Sequence, residues 1–373
     1  MSHDPSEHIR GLQQLLISDK KKLAFLFGAG TSVSKKNKDS ITIPTIGQMT
    51  EDIEDKYKEE DKYKNAISEI KEEIEASKNT YTIETLLSNL EQKRDVIGKG
   101  ILNHLNKDEI ISLIKLLKNQ VKDIVSVHED ILIEENIKNH VHADFAEWIG
   151  RANRKQGIEI FTTNYDYFFE LGFEVNNLPY YDGFTGSYKP FFDSDSVENL
   201  SFLPMQTKLW KLHGSLGWHY DENSNKVWRK DSDDDDILIY PSISKYTNSK
   251  KQPYASLMDR LTNFLKQPDT ILITCGYSFG DEHINERILT ALNSNPSTHV
   301  YALIYDIVWK KKEGCNSDTK IKEYCLDKTQ LYTIATCNRK ISAYGCRHAV
   351  IGCHFGQWQL KREPDRDDTP NIT

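Results

Sequence analysis

Leu23-Ala24-Phe25-Leu26-Phe27 runs directly into Gly28-Ala29-Gly30-Thr31-Ser32, and this junction decides how the rest of the chain is read. An unbroken apolar run of this length reads as a strand buried on both faces, as in a parallel sheet. Two glycines one residue apart let the backbone turn tightly and approach a ligand closely. A helix beginning after Ser32 would point its free N–H groups at a diphosphate.

The same arrangement recurs downstream. Ile158-Glu159-Ile160-Phe161-Thr162 ends at Thr163-Asn164-Tyr165-Asp166, and Thr207-Lys208-Leu209-Trp210-Lys211-Leu212 ends at His213-Gly214-Ser215. Thr270-Ile271-Leu272-Ile273-Thr274 runs into Cys275-Gly276-Tyr277-Ser278. Residues 299–305 form a further buried strand, and 349–358 a last one closing the sheet. Strands alternating with helices predict an α/β fold, a Rossmann-like doubly wound parallel sheet. Ligands of such sheets bind beyond the carboxyl ends of the strands, and all four junctions fall there.

Between the first two junctions, residues 48–156 read almost entirely as helix. Ile53, Tyr57, Ile67, Ile70 and Ile74 make a thin apolar stripe in the charged stretch 51–76, whose charges read as a solvated face. The predicted organisation is a Rossmann-like domain from 1–47 and 157–360, an inserted helical subdomain over 48–156, and a flexible tail at 361–373. Residues 180–204 are aromatic and rich in turns, and read as a loop over the pocket, with Tyr180, Tyr181, Phe184 and Tyr188 as a lid. The acidic run 231–236 lacks the glycine and spaced ligands of a calcium loop.

The bulk composition narrows the function. The chain has 373 residues, 38% of them hydrophobic and 28% charged, enough for a sizeable core. A net charge of −8 and a pI near 5.9 argue against direct nucleic-acid binding, which needs a basic surface. No stretch approaches the roughly 18 apolar residues of a membrane span. Met1-Ser2-His3-Asp4-Pro5-Ser6-Glu7 lacks the basic start and apolar core of a signal peptide. The six cysteines, the first at Cys275, read as reduced thiols of a cytoplasmic protein. Cys337, Cys346, His348, Cys353 and His354 match no familiar zinc spacing, and no metal is expected.

The dinucleotide fingerprint of dehydrogenases requires a third glycine where this chain has Val33, which weakens a hydride-transfer reading. Glycine turns, an asparagine and a histidine remain. They suit cleavage of a bond whose leaving group needs no proton, such as the nicotinamide–ribose bond of NAD⁺. A common glycosidase would need a second carboxyl group as general acid.

Phe27-Gly28-Ala29-Gly30-Thr31-Ser32, Ile43-Pro44-Thr45, Phe161-Thr162-Thr163-Asn164-Tyr165-Asp166, Lys211-Leu212-His213-Gly214-Ser215 and Gly276-Tyr277-Ser278-Phe279-Gly280-Asp281-Glu282-His283-Ile284 resemble the ordered motifs of the sirtuin-like family. The resemblance is strongest to the bacterial branch that hydrolyses NAD⁺ in antiphage defence, to which Ile83-Glu84-Thr85-Leu86-Leu87-Ser88-Asn89-Leu90 is also similar. It implies a sirtuin-type sheet with NAD⁺ as substrate. It also implies that Gly28, Ala29, Gly30, Thr31 and Ser32 hold the pyrophosphate, with Pro44 and Thr163 beside it. Asn164 would place the attacking water, Asp166 would meet the nicotinamide amide, His213 would be the general base, and Gly276 and Ser278 would line the adenosine side. Protein-deacylating sirtuins carry two Cys-x-x-Cys pairs after the catalytic histidine; this chain has no Cys-x-x-Cys, so no zinc ribbon is expected and NAD⁺ hydrolysis is favoured over deacylation. The resemblance further implies depletion of NAD⁺ in abortive infection, a homo-oligomer, and a HerA-type ATPase partner. The alternatives are a regulatory subunit that binds NAD⁺ or ADP-ribose without cleaving it, a deacylase, and an ADP-ribosyltransferase.

Overall fold

A computed structural model describes residues 12–344, apart from 13, 39, 58–60, 134, 135, 153, 222, 223, 225, 231–236, 240–251, 305, 306, 312–319 and 325–327. The runs at 231–236 and 349–358, and Cys346, His348, Cys353 and His354, lie outside the described residues.

The first strand, β1 (Lys22–Phe27), is central in a seven-stranded sheet. Its neighbours are β2 (Glu159–Thr162) on one side and β10 (Thr270–Cys275) on the other. Beyond β2 come β6 (Thr207–Lys211) and the two-residue β3 (Tyr180–Tyr181); beyond β10 come β11 (His299–Leu303) and β14 (Ile341–Tyr344). Every pairing in this sheet is parallel. The chain leaves β1 toward β2 and later returns to β10, so strand order reverses at the β1–β10 crevice. The doubly wound parallel sheet expected from the sequence is what forms.

Both faces of β1 are buried, and its side chains alternate between two cores. Ala24 and Leu26 join a cluster with Leu257, Leu261 and Leu265 of α9 (Tyr254–Lys266) and Ile284 and Ile288 of α10 (Glu282–Ser294). Leu23, Phe25 and Phe27 face Phe145 and Trp148 of α6 (Val141–Arg151) and Phe169 and Phe173 of α7 (Phe168–Val175). Phe27 stacks on Phe169 at 4.8 Å between centroids and meets Phe145 edge-on at 5.2 Å, geometries that aromatic quadrupoles favour.

A third core belongs to α1 (Ile46–Tyr57), α2 (Asp61–Ala76), α3 (Ile83–Val96), α4 (Lys107–Val125) and α5 (His128–Ile133). Its members include Ile53, Ile70, Leu87, Leu113 and Leu117, and it reaches the sheet domain through Phe168 and Leu216. By packing, α6 sits in the sheet layer with α7, although 48–156 reads as one helical run in sequence.

Two smaller sheets complete the fold. One is five-stranded: β4 (Phe184–Thr185), β5 (Phe191–Phe192), β8 (Lys226–Arg229), β7 (Gly214–Asp221) and β9 (Ile237–Ile239) lie in that order, all antiparallel. The other pairs β12 (Ile307–Lys311) with β13 (Lys320–Tyr324). The short helices α8 (Ser194–Glu198) and α11 (Gln330–Cys337) link these parts. Among the described residues no helix is long and apolar enough to cross a membrane.

Residues 180–204 form no lid. Tyr181 packs edge-on against Trp210, Phe184 and Phe192 are buried around Trp218, and Tyr188 is fully exposed. None of Tyr180, Tyr181, Phe184 and Tyr188 lines the cavity described below; the rings of Tyr181 and Phe184 are used in the core against Trp210 and Trp218.

Candidate active site

The β1 and β10 turns meet backbone to backbone. A Cβ on Gly28 would lie 2.5 Å from the Gly276 carbonyl oxygen, and one on Gly30 would lie 2.7 Å from the Gly276 Cα. Gly276 has φ +62, and its own Cβ would lie 2.7 Å from the Thr31 nitrogen. Real Cβ atoms do not approach so closely, so these three positions require glycine. The Gly28 N–H donates to the Cys275 oxygen and the Gly30 N–H to the Gly276 oxygen, which ties the two turns together.

No long helix starts after Ser32. Residues Ala29–Thr31 make a single 3₁₀ turn, followed by irregular chain as far as α1. Thr31 donates from both N–H and hydroxyl to the Gly28 oxygen, and Ser32 donates its N–H to Ala29. Beyond it, the polar run around Lys36 and Asn37 turns onto the Ser40 hydroxyl and offers no apolar face for a helix to bury. The N–H groups of Gly28, Gly30, Thr31 and Ser32 are therefore donated within the protein; that of Ala29 makes none of these bonds.

Above the crevice lies a cavity of about 860 Å³, within the size range of small-molecule sites. Of the residues proposed from sequence, Gly28, Ala29, Gly30, Ser32, Pro44, Thr163, Asn164, Asp166, His213, Gly276 and Ser278 all line it. Thr31 does not; it is buried behind the turn, 2% exposed. The floor is the carboxyl ends of β1, β2, β6 and β10. The roof comes from the helical insertion: Met49, Thr82, Glu84, Thr85, Val121 and Val125. A hydrogen bond from the Ile83 N–H to the Thr50 hydroxyl, 2.9 Å, fixes the start of α3 onto α1.

Asn164 follows β2, and its orientation is set by its neighbours. The side-chain nitrogen donates to the Gly28 oxygen (3.2 Å), Thr31 Oγ1 (3.2 Å) and Ser32 Oγ (2.8 Å). A carbonyl can only accept, so the amide cannot be reversed. Asn164 is thus not a helix cap, and its Oδ1 is the end left for a ligand or water. Asp166 accepts from Ser32 Oγ at 2.6 Å and from the Phe168 N–H at 3.1 Å, so it holds the glycine turn and the start of α7 together.

His213 follows β6, the strand next to β2. Lys211, 3% exposed, fixes the two strand ends to each other. Its ammonium donates to the Asp166 backbone oxygen (2.5 Å) and Ser215 Oγ (2.9 Å) and pairs with Glu170 at 2.6 Å. Burial pushes the Glu170 carboxyl above its usual range, and Lys211 works in the opposite direction. Tyr165 donates to Glu84 at 3.3 Å, and burial, reinforced by that carboxylate, holds its phenol well above the ordinary range.

The site contains more than sequence reasoning assigned to it. Asp281, 7% exposed in its side chain, places Oδ2 at 2.8 Å from His213 Nε2. Its Oδ1 accepts from the N–H groups of His283 and Ile284, which makes it the N-cap of α10. The cap is legible in sequence as an Asp before a helical run; the pairing is not, because β1 and β2 separate the strands concerned. Glu84, Glu282 and His283 also line the cavity. Among the described residues no cluster of His, Cys, Asp and Glu could hold a metal ion.

Residues 158–331 match the family model described as a SIR2-like domain. No curated protein matches the chain. The matched residues carry Asn164, His213, Gly276 and Asp281, whereas β1 and its glycine turn lie outside them, and the match is consistent with an activity on NAD. Falling on three of the four strands that floor this cavity, it supports a sirtuin-like family for this chain.

Proposed function

We propose that the protein hydrolyses NAD⁺ at the nicotinamide–ribose bond. The observation that carries this reading is the meeting of Asn164 and His213 at adjacent strand ends, in one cavity floored by the three interlocked glycines. The dinucleotide spans the crevice, with its adenosine side toward Gly276 and Ser278 and its pyrophosphate over residues 28–32. Asn164 Oδ1 accepts a hydrogen bond from water and holds it near C1′ of the nicotinamide ribose. The water oxygen bonds to C1′, the C1′–N bond breaks with its electron pair returning to the pyridinium nitrogen, and His213 takes the water proton. Nicotinamide leaves neutral, so no general acid is needed.

The biological reading is depletion of NAD⁺ in antiphage defence by abortive infection. It includes a cytoplasmic protein that works as a homo-oligomer, with a HerA-type ATPase as partner. The test is release of nicotinamide and ADP-ribose from NAD⁺ at rising protein concentration, with and without that ATPase. Wild type should release both. His213→Ala should lose about 10²–10⁴ in rate, the usual contribution of a general base, and Asn164→Ala should lose turnover as well. Wild-type turnover in either variant would remove the residue from the mechanism. NAD⁺ that binds and stays intact, with the ATPase present, would refute hydrolysis.

A further inference from the structure

We infer that Asp281 is a positioning residue that fixes the tautomer of His213, so that Nδ1 is the atom that accepts the proton; this rests on the hydrolase reading above. The Oδ2 of Asp281 lies 2.8 Å from Nε2, and an ionised carboxylate only accepts. Nε2 must therefore carry hydrogen, which leaves the lone pair on Nδ1. Nδ1 has no protein partner among the described residues and is not a buried unpaired atom, so it is open to the cavity. The carboxylate is itself held by the His283 and Ile284 N–H groups at 3.1 and 3.3 Å. The start of α10 thus aims Asp281, and Asp281 aims the imidazole.

This gives a substitution that separates orientation from folding. Asparagine is as good an N-cap as aspartate, so Asp281→Asn can keep Oδ1 on the helix start. Its NH₂ then faces Nε2 and donates, which drives the ring proton to Nδ1 and removes the lone pair from the cavity side. The kcat of Asp281→Asn should fall about 10²–10⁴-fold, the full worth of a general base, with KM and thermal midpoint little changed. Glu84, Asp166, Glu282 and His283, which line the same cavity, are unaltered in the variant.

Nitrogen-15 spectra of His213, made without substrate, should show Nε2–H in the wild type and Nδ1–H in Asp281→Asn. A ring that stays Nε2–H in the variant would overturn the inference whatever the turnover. So would a wild-type kcat in Asp281→Asn alongside an inactive His213→Ala, and the hydrolase reading would survive that result. A fully active His213→Ala would remove the histidine from the mechanism and overturn the inference with it, whereas wild-type protein that binds NAD⁺ and leaves it intact would sink the hydrolase reading itself.

Discussion

Gly276→Ala and Gly47→Ala make the same chemical change and should move stability in opposite directions. At Gly276 the added carbon meets backbone on the opposing turn: Thr31 N at 2.7 Å and Gly30 C and Cα at 2.9 Å. Neither is the end of a flexible side chain, so the turns must part by about 0.7 Å to restore an ordinary contact of 3.4 Å. Holding alanine at φ +62 costs about 1–2 kcal/mol. Stretching the Gly30 N–H to Gly276 O bond costs about 1 kcal/mol more. With overpacking strain added, we expect a loss of about 3 kcal/mol. Gly47 is exposed in the first turn of α1 with nothing within 4 Å of its Cβ position. There alanine should gain about 0.5 kcal/mol, from the smaller entropy cost of ordering it in a helix. Urea unfolding followed by circular dichroism measures both, and calorimetry with NAD⁺ tests whether the parted turns still bind it. A Gly276→Ala protein with wild-type stability and affinity would refute the interlock argument.

Three other outcomes are expected. Burial lowers the His142 imidazole to about 3, and both its nitrogens are buried without partners, so it stays neutral in the fold while the unfolded chain takes a proton below about 6.5. Above that pH it contributes nothing, and below it stability falls by up to about 1.4 kcal/mol per pH unit, so His142→Leu should gain about 2 kcal/mol over wild type between about pH 7.5 and pH 5; an equal difference at both values in urea titrations would count against this. Asn164→Asp sets a carboxylate oxygen against the Gly28 carbonyl oxygen in place of three donated bonds, and should reduce NAD⁺ turnover by at least about 10²-fold while Asn164→Gln loses less; equal rates for the two variants would argue against a fixed amide orientation. Glu84, Asp166, Asp281 and Glu282 line the cavity, and no Lys or Arg does so among the described residues, so kcat/KM for NADP⁺, with its extra phosphate charge, should be at least about tenfold below that for NAD⁺. Equal use of the two dinucleotides would show that the charge of the lining does not govern selection.

The sheet was legible because strands such as Leu23-Ala24-Phe25-Leu26-Phe27 are buried on both faces and read as continuous apolar runs. Asn164 and His213 stood out because each follows such a run at the end where α/β sheets bind ligands. Residues 180–204 misled for the opposite reason. Strands β3, β4 and β5 are two residues each, too short for any period, and aromatic side chains in a turn-rich stretch look alike whether they cover a ligand or a core. The sequence left open whether a helix follows Ser32; local hydrogen bonding decides against one, since Thr31 and Ser32 spend their N–H groups on a 3₁₀ turn. The His213–Asp281 pair joins two ends that the strand order keeps apart, and no spacing in the chain encodes it.

The cavity has a floor of main chain and a roof of side chains, and the two differ in what variation they tolerate. Gly28, Gly30 and Gly276 have no neighbouring residue type to change into, because each already occupies all the space there is. Met49, Val121 and Val125 of the roof belong to the core of the insertion, Thr82 and Thr85 form the capping box of α3, and Glu84 stands in its first turn outside both. Variation in the lining can therefore enter through the insertion, first at Glu84, while the glycine floor stays as it is.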